Sequence, residues 1–355
     1  MARHSFKAIT GFEESRREKL PLNELEKIRL AAPHVRAAFI ESGMPIAVRQ
    51  FSCSVSPYPT IYGFHNAYDG LYPYLWFNNR ATLVQFLEDG QLKLLLFNPI
   101  FPDLSAQAPF YQNLRKRVPQ FMEGLLAKIH KSVEEQLAEL GFSVGDINYV
   151  SYDHLHVQDM RPLMGVRDNK GGWLIEPKFP NAKYIYPKAE WEATINLHPS
   201  VSEWYVPNGL AKVSHENLIL TEGDLLLGPG VALIQTPGHT PGNHSLYLNT
   251  DAGTMTFSEN GVGVDAYNPE NSRINSVRER ARERGWEVVL NANTLDLRLL
   301  QYNSMVKEKM LSGPAANPEF CNHHPTSEFT TWFAAPGLRP SLEHGDVRHG
   351  NFQQK

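Results

Sequence analysis

The run YVSYDHLHVQDMR, residues 149–161, sets two histidines one residue apart at the end of an apolar stretch. Side chains two apart on a strand point the same way, so His154 and His156 can converge on one ion as the strand ends. Neutral imidazole suits zinc, iron, manganese or nickel. Alone the pair is a weak signal, because H-x-H is common among ordinary surface and packed histidines. A second segment, LIQTPGHTPGNHSL (233–246), carries another imidazole 83 residues further on, 239 minus 156, between two Pro-Gly pairs. Proline fixes φ and glycine permits positive φ, so this loop restrains His239 from both sides. That restraint fits a metal ligand and fits equally a plain hairpin loop with a solvent-facing histidine.

Residues so placed need a sheet behind them, and the flanking pattern supplies one. INYVSY reads as a short apolar strand delivering the chain to His154, and further strands are expected at AKYIYP, VALIQT, HSLYLN and TMTFS. Helices are expected around 188–194, 271–284 and 294–311. A long helix carrying Ile129, Val133, Leu137 and Leu140 on one face is expected before the first histidines, with Gly141 as its stop. From Gln50 to Ile100 the runs LYPYLWF, ATLVQFL and KLLLFNP are of β type. Strands alternating with helices argue for a layered α/β domain. Residues 1–45 read as a charged helical extension packed on the main domain, with Leu22, Leu25 and Ile28 at helical spacing. Residues 46–312 form the main domain, and 313–355, rich in Pro, His and polar residues, an irregular arm.

Composition narrows the function. The 34 Lys+Arg against 38 Asp+Glu in 355 residues leave a net charge of −4 with no basic block, so a small-molecule substrate is expected and nucleic acid is not. No apolar stretch is long enough to span a bilayer and the polar start carries no secretory core, which points to a cytoplasmic protein without a membrane partner; a homo-oligomer stays open. Two cysteines, Cys53 and Cys321, are too few and too far apart for a disulfide framework or a thiolate site. Any metal must be held by His, Asp or Glu.

Taken together, T-P-G-H-T-P-G after an apolar strand and an H-x-H at an earlier strand end resemble the metallo-β-lactamase superfamily, most of all its lactonase and thioesterase-type hydrolases. The similarity runs from about Ile147 to Met310 and includes FPNAKYIYPKAEWEA, EGDLLLGPGVALIQTPGHTPGNHSLYL and TMTFSENGV. It implies a four-layer αββα sandwich with a metal site at one edge, here with an N-terminal helical extension and an irregular C-terminal tail. It implies His154, His156 and His239 as ligands of the first metal position. The second position departs from the family: Gln158 and Asp159 stand where it has Asp then His, Glu259 where it has a bridging Asp, and Asn293 is the best match to its last histidine. Asn98 replaces an aspartate the family usually carries after an early strand.

Three imidazoles with Asp159 and Glu259 balance one divalent ion. Gln158 and Asn293 would serve only as second-site or substrate contacts, because neutral oxygens hold zinc poorly. Zinc is the first expectation, with iron and manganese as alternatives. Such an ion lowers the pKa of its water from ~15.7 towards ~7, and Asp159 or Glu259 would orient that water and take its proton. The reading that follows is a metal-dependent hydrolase of a small ester or lactone. A non-heme iron oxygenase on the same fold, with one or two irons, is the rival; a degenerate, non-catalytic binding protein is the third. The aromatics of YPTIYGFHNAYDGLYPYLWF wall a substrate pocket or fill the core. His323, His324, His344 and His349 are expected at the surface, unless one folds back to replace the lost imidazole.

Overall fold

The computed structural model describes residues 6–117, 127–333 and 337–354. Two sheets face each other. In the first, Lys7–Ile9, Asp224–Gly228, Val231–Gln235, His244–Thr250, Gly253–Phe257 and His323–His324 lie side by side; only the last pair is parallel. In the second, Leu218–Thr221, Lys183–Pro187, Tyr149–Ser151 and Gln91–Phe97 run parallel, and Tyr74–Glu88, Ala47–Pro59 and Arg348–Gly350 continue it antiparallel.

Strand periodicity explains why the runs are apolar almost throughout. Along Tyr74–Glu88, Val84 and Phe86 point to the core between the sheets while Ala81 and Leu83 point to the other face. The central core joins Val84, Phe86, Leu95, Phe97 and Ile185 to Leu233, Leu246, Leu248, Met255 and Phe257. Helix Pro21–Glu41 lays Ile28, Ala32, Val35 and Phe39 over Ala232, Ile234 and Tyr247 on the outside of the first sheet, with Phe39 stacked on Tyr247 at 3.9 Å between ring centroids. Each large apolar side chain buried there contributes roughly 1.5–3 kcal/mol. Truncating Phe39 to Ala would cost about 3–5 kcal/mol. Val133, Leu137 and Trp191, from helices Val133–Glu139 and Lys188–Ile195, join the core on the far side of the second sheet. Helix, sheet, sheet and helix form four layers, the αββα sandwich expected.

Several expectations need correction. The N-terminal segment is built into the sandwich: Lys7–Ile9 is an edge strand, and the helix buries Leu25 and Ile28 but leaves Leu22 64% exposed. LYPYLWF and ATLVQFL are parts of one 15-residue strand, because Asn78, Asn79 and Arg80 all stay paired with the neighbouring strand. The long helix before the histidines shortens to Val133–Glu139, begun by a capping box between Ser132 and Glu135. Ile129 lies outside it, exposed in a two-residue strand, while Gly141 at φ 80° does end the turn. The tail wraps the domain but is not irregular throughout: His323–His324 extends the first sheet, and Ser327–Thr330 and Arg348–Gly350 pair with the second.

Candidate metal centre

His154 and His156 lie past Ser151, the last residue of their strand, in the loop that follows. Their convergence therefore comes from the loop's path and not from strand alternation. Val157 turns that path with φ 55°, a left-handed conformation costly for a β-branched residue. Glu190, fully buried near the start of helix Lys188–Ile195, ties this loop to the one bearing His239. Its carboxylate accepts the Leu155 N–H at 2.8 Å on one side, and the Thr240 hydroxyl at 2.6 Å and the Gly242 N–H at 3.2 Å on the other. The glycines of TPGHTPG serve close approach: a Cβ on Gly242 would lie 2.1 Å from the Glu190 nitrogen, and one on Gly238 2.1 Å from the Gln301 Cα. The loop is wedged between two helices, and His239 has little freedom.

The three imidazoles meet. His156 Nδ1 and His239 Nε2 stand 3.2 Å apart, and the His154 ring centroid lies 4.7 Å and 4.6 Å from those of His156 and His239. Two nitrogens each about 2.05 Å from a tetrahedral zinc stand about 3.3 Å apart, so the 3.2 Å separation fits a shared ion. His154 turns Nδ1 to Asp153 at 2.8 Å, leaving Nε2 for a ligand, and His239 Nδ1 faces the Asn291 carbonyl at 3.4 Å. Such partners fix the tautomer and aim of a metal-binding imidazole. Burial pushes His156 well down and His239 to about 3, so both are neutral donors at physiological pH. Burial acts the same way on His154, but the Asp153 charge outweighs it and raises that group to about 9. A metal binding there must displace the His154 proton.

The acidic side is arranged differently from the expectation. Glu259, just past strand Gly253–Phe257, lies with Asp153 and His154 in a second convergent group. Burial pushes it up to about 7, against the pull of His154. Asp153 belongs to the frame: it accepts from the Asn98 amide (2.9 Å), the His154 N–H (2.9 Å) and the Thr326 hydroxyl (2.8 Å). Asn98, whose Oδ1 takes the Asp153 N–H at 2.8 Å, thus holds a carboxylate one step away in place of bearing its own.

Asp159 does not join the histidines. Its carboxylate is gripped by Arg161 through Nε at 2.8 Å and Nη2 at 2.7 Å, and it takes the Arg161 N–H at 3.1 Å where helix Arg161–Met164 begins. The left-handed turn at Val157 carries the chain away before Asp159, which is absent from both convergent groups and from the cavity wall. Gln158 and Asn293 do line the cavity, and Oδ1 of Asn293 has no partner among the described residues. His323, His324 and His344 are buried, not at the surface, and none folds back onto the site. His349 is half-buried near Asp251.

The cavity holds about 420 Å³. His154, His156 and Glu259 lie on its wall with Tyr58, Phe77, Phe110, Tyr111 and Trp204, so part of the aromatic stretch read in the sequence faces it. Sequence reasoning missed Asp153, Glu190, Asn260 and Asn291. Asn260 takes the His239 N–H at 3.1 Å, and Asn291, not Asn293, meets the His239 ring. The available signal was a polar residue set inside or beside an apolar run next to a ligand.

This is the metallo-β-lactamase fold. A dizinc quorum-quenching lactonase, AidC, aligns over 85% of this chain and 96% of its own with a TM-score of 0.51 at 15% identity. A probable metal-dependent hydrolase from Staphylococcus aureus aligns over 75% and 84% with a TM-score of 0.50, also at 15% identity. In sequence, the chain is 31% identical over 136 residues to an N-acyl homoserine lactonase of Bacillus thuringiensis, a match covering 37% of this chain and 46% of that protein. The chain thus spans about half the length of the curated relatives it matches. No family model matches it.

Proposed function

We propose that the protein is a metal-dependent hydrolase of small esters or lactones. The observation that carries this reading is the set of three converging imidazoles, two of them on the wall of an aromatic-lined cavity; the likeness to N-acyl homoserine lactonases supports it. His154, His156 and His239 would hold one divalent ion, zinc for choice, and a second ion would have Glu259, neutral amides and an Asp153 carboxylate already committed to Asn98, His154 and Thr326. The ion, when bound, supplies a Lewis acid and an acidified water.

The chain's own groups do the rest. Glu259, raised towards neutrality, can take a proton from the attacking water and give it to the departing alkoxide oxygen as the acyl C–O bond breaks. Tyr58, Phe77, Phe110 and Trp204 give the substrate an apolar seat that excludes water around the reacting carbonyl. Asp159, held by Arg161, shapes the loop and takes no proton.

The test is metal analysis of purified protein, followed by turnover of ester and lactone substrates by the zinc form without air. Hydrolysis needs no redox-active ion, so zinc protein should work anaerobically with about one ion per chain. Activity confined to iron protein and matched by oxygen uptake would replace this reading with the oxygenase one.

A further inference from the structure

The tail segment 323–330 passes from one sheet to the other directly beside the metal centre. His323–His324 pairs with Thr256–Phe257, and Ser327–Thr330 pairs with residues 76–79 of the other sheet. Between them the Thr326 N–H reaches the Ser258 carbonyl at 3.3 Å, and the Arg80 N–H reaches the Thr326 carbonyl at 2.8 Å. Backbone bonds on both sides leave the two hydroxyls of Thr326 and Ser327 little choice of direction, and both side chains are buried on the cavity wall.

Each hydroxyl ends on a carboxylate of the site. Thr326 Oγ1 lies 2.8 Å from Asp153 Oδ2 and 3.5 Å from Glu259 Oε2; Ser327 Oγ lies 2.7 Å from Glu259 Oε2 and 2.9 Å from Asn79 Oδ1. A hydroxyl has one hydrogen to give. Thr326 therefore serves Asp153, the nearer acceptor. The other Asp153 oxygen faces His154 Nδ1, so fixing one oxygen fixes the plane of the carboxylate and with it the aim of His154. With Thr326 committed to Asp153, Ser327 is, among the described residues, the side-chain donor left to the Glu259 carboxylate.

We propose that Thr326 and Ser327 are positioning residues of the metal centre, Thr326 acting on His154 through Asp153 and Ser327 holding the Glu259 carboxylate at the cavity wall. Glu259 lies outside the three-histidine group, and the Ser327 hydroxyl of the tail supplies the constraint on its carboxylate. The Ser327 part rests on the hydrolase reading; the Thr326 part does not.

Zinc affinity, measured by competition with a chromophoric chelator, should fall about 10- to 100-fold in Thr326→Val, the usual cost of losing a partner behind a ligand, and return to within about threefold of the original in Thr326→Ser. Ser327→Ala should leave zinc affinity alone and lower kcat about 10- to 100-fold with KM within about twofold, while a crystal structure of the zinc-loaded variant shows Glu259 moved from its place. Thermal unfolding of each variant identifies any loss that is merely structural. Unchanged zinc affinity in Thr326→Val, or equal losses in Val and Ser variants, would overturn the role of Thr326. An unmoved Glu259 in Ser327→Ala would overturn that of Ser327. Failure of the original protein to hydrolyse any ester or lactone would sink the hydrolase reading, while the zinc titrations and the crystal structure still decide this one.

Discussion

Two groups of three buried histidines stand in this molecule, and they do opposite things. His154, His156 and His239 turn nitrogens towards one another, 3.2 Å apart at the closest, with two of the rings on a cavity wall. His323, His324 and His344 lie with their faces covered: His323 stacks on Tyr267 at 3.8 Å, His324 on Phe257 at 5.2 Å, and His344 lies 4.1 Å from His324. One nitrogen of each looks outwards from the group, to Thr256 at 2.8 Å, Asn322 at 2.9 Å and Glu328 at 2.7 Å, and the other is buried without a hydrogen-bond partner among the described residues. Among the described residues they are in no convergent donor group, and none reaches the cavity. Burial and number of imidazoles are the same in both. What separates a metal centre from a core is where the nitrogens point and whether anything can reach them.

The sharpest way to break this contrast is to remove one ring from each group. His239→Ala leaves two imidazoles, and its zinc affinity should drop by about 10³-fold or more with turnover lost and the fold retained. His344→Ala should do the reverse. It deletes the imidazole beside Glu328, which keeps its ion pair with Arg80 at 2.7 Å and the backbone N–H of position 344 at 3.0 Å, and so should cost about 1–3 kcal/mol of stability in urea. Zinc affinity should stay within about twofold. Loss of zinc in His344→Ala would mean that the two groups are one system.

Acid sharpens the same contrast. Burial, with His344 nearby, holds His323 and His324 well below the ordinary imidazole value of 6.5. In the unfolded chain they take protons below that pH and in the folded chain they do not, so stability falls as pH drops from 6.5. Each contributes a slope of about 1.4 kcal/mol per pH unit. Glu328 is held low by Arg80 and His344 against the effect of its burial, so its contribution is present above 4.5 and is lost below, as pH falls through its folded value. His154, raised to about 9, has the opposite sign: its contribution is full below 6.5 and disappears as pH rises through 9. In metal-free protein His324→Phe should flatten the acid limb by one group's worth in urea melts. An unchanged slope would show that His324 is not buried neutral.

How much of this was legible follows from where the constraints act. The H-x-H and TPGHTPG motifs are local, written in proline, glycine and a strand that stops, and they name the three imidazoles. The long strand Tyr74–Glu88 was read as separate pieces because its polar residues 78–80 look like a turn, and only pairing with a distant strand keeps them extended. The tail was misread for a related reason. Its Pro, His and polar composition resembles a loop, whereas its strands are defined by partners that lie about 70 residues away on one side and about 250 on the other. Asp153 stands next to His154 in the chain, where its place after an apolar run was the available signal, whereas Glu190 ties together two loops that no spacing brings near each other.

The smallest effect expected is at Asp159, and it tests the acidic side of the centre. A general base that loses its carboxylate typically costs 10²-fold or more in rate. Asp159 has its two oxygens occupied by Arg161 and by the start of a short helix, and it stays off the cavity wall. The amide of Asp159→Asn can still accept the Arg161 N–H but loses the charge that the guanidinium pairs with. Because Arg161 is partly exposed, the ion pair is screened and its loss should cost little stability. Turnover should therefore stay within about threefold of the original and zinc content should not change, whereas Glu259→Gln, made alongside it, should lower kcat at least about 100-fold. If the two variants fall together, Asp159 reaches the substrate by a movement of the loop after Val157, and the division between a catalytic Glu259 and a structural Asp159 is wrong. If Asp159→Asn alone is silent, the carboxylate that matters is the one the tail hydroxyls hold.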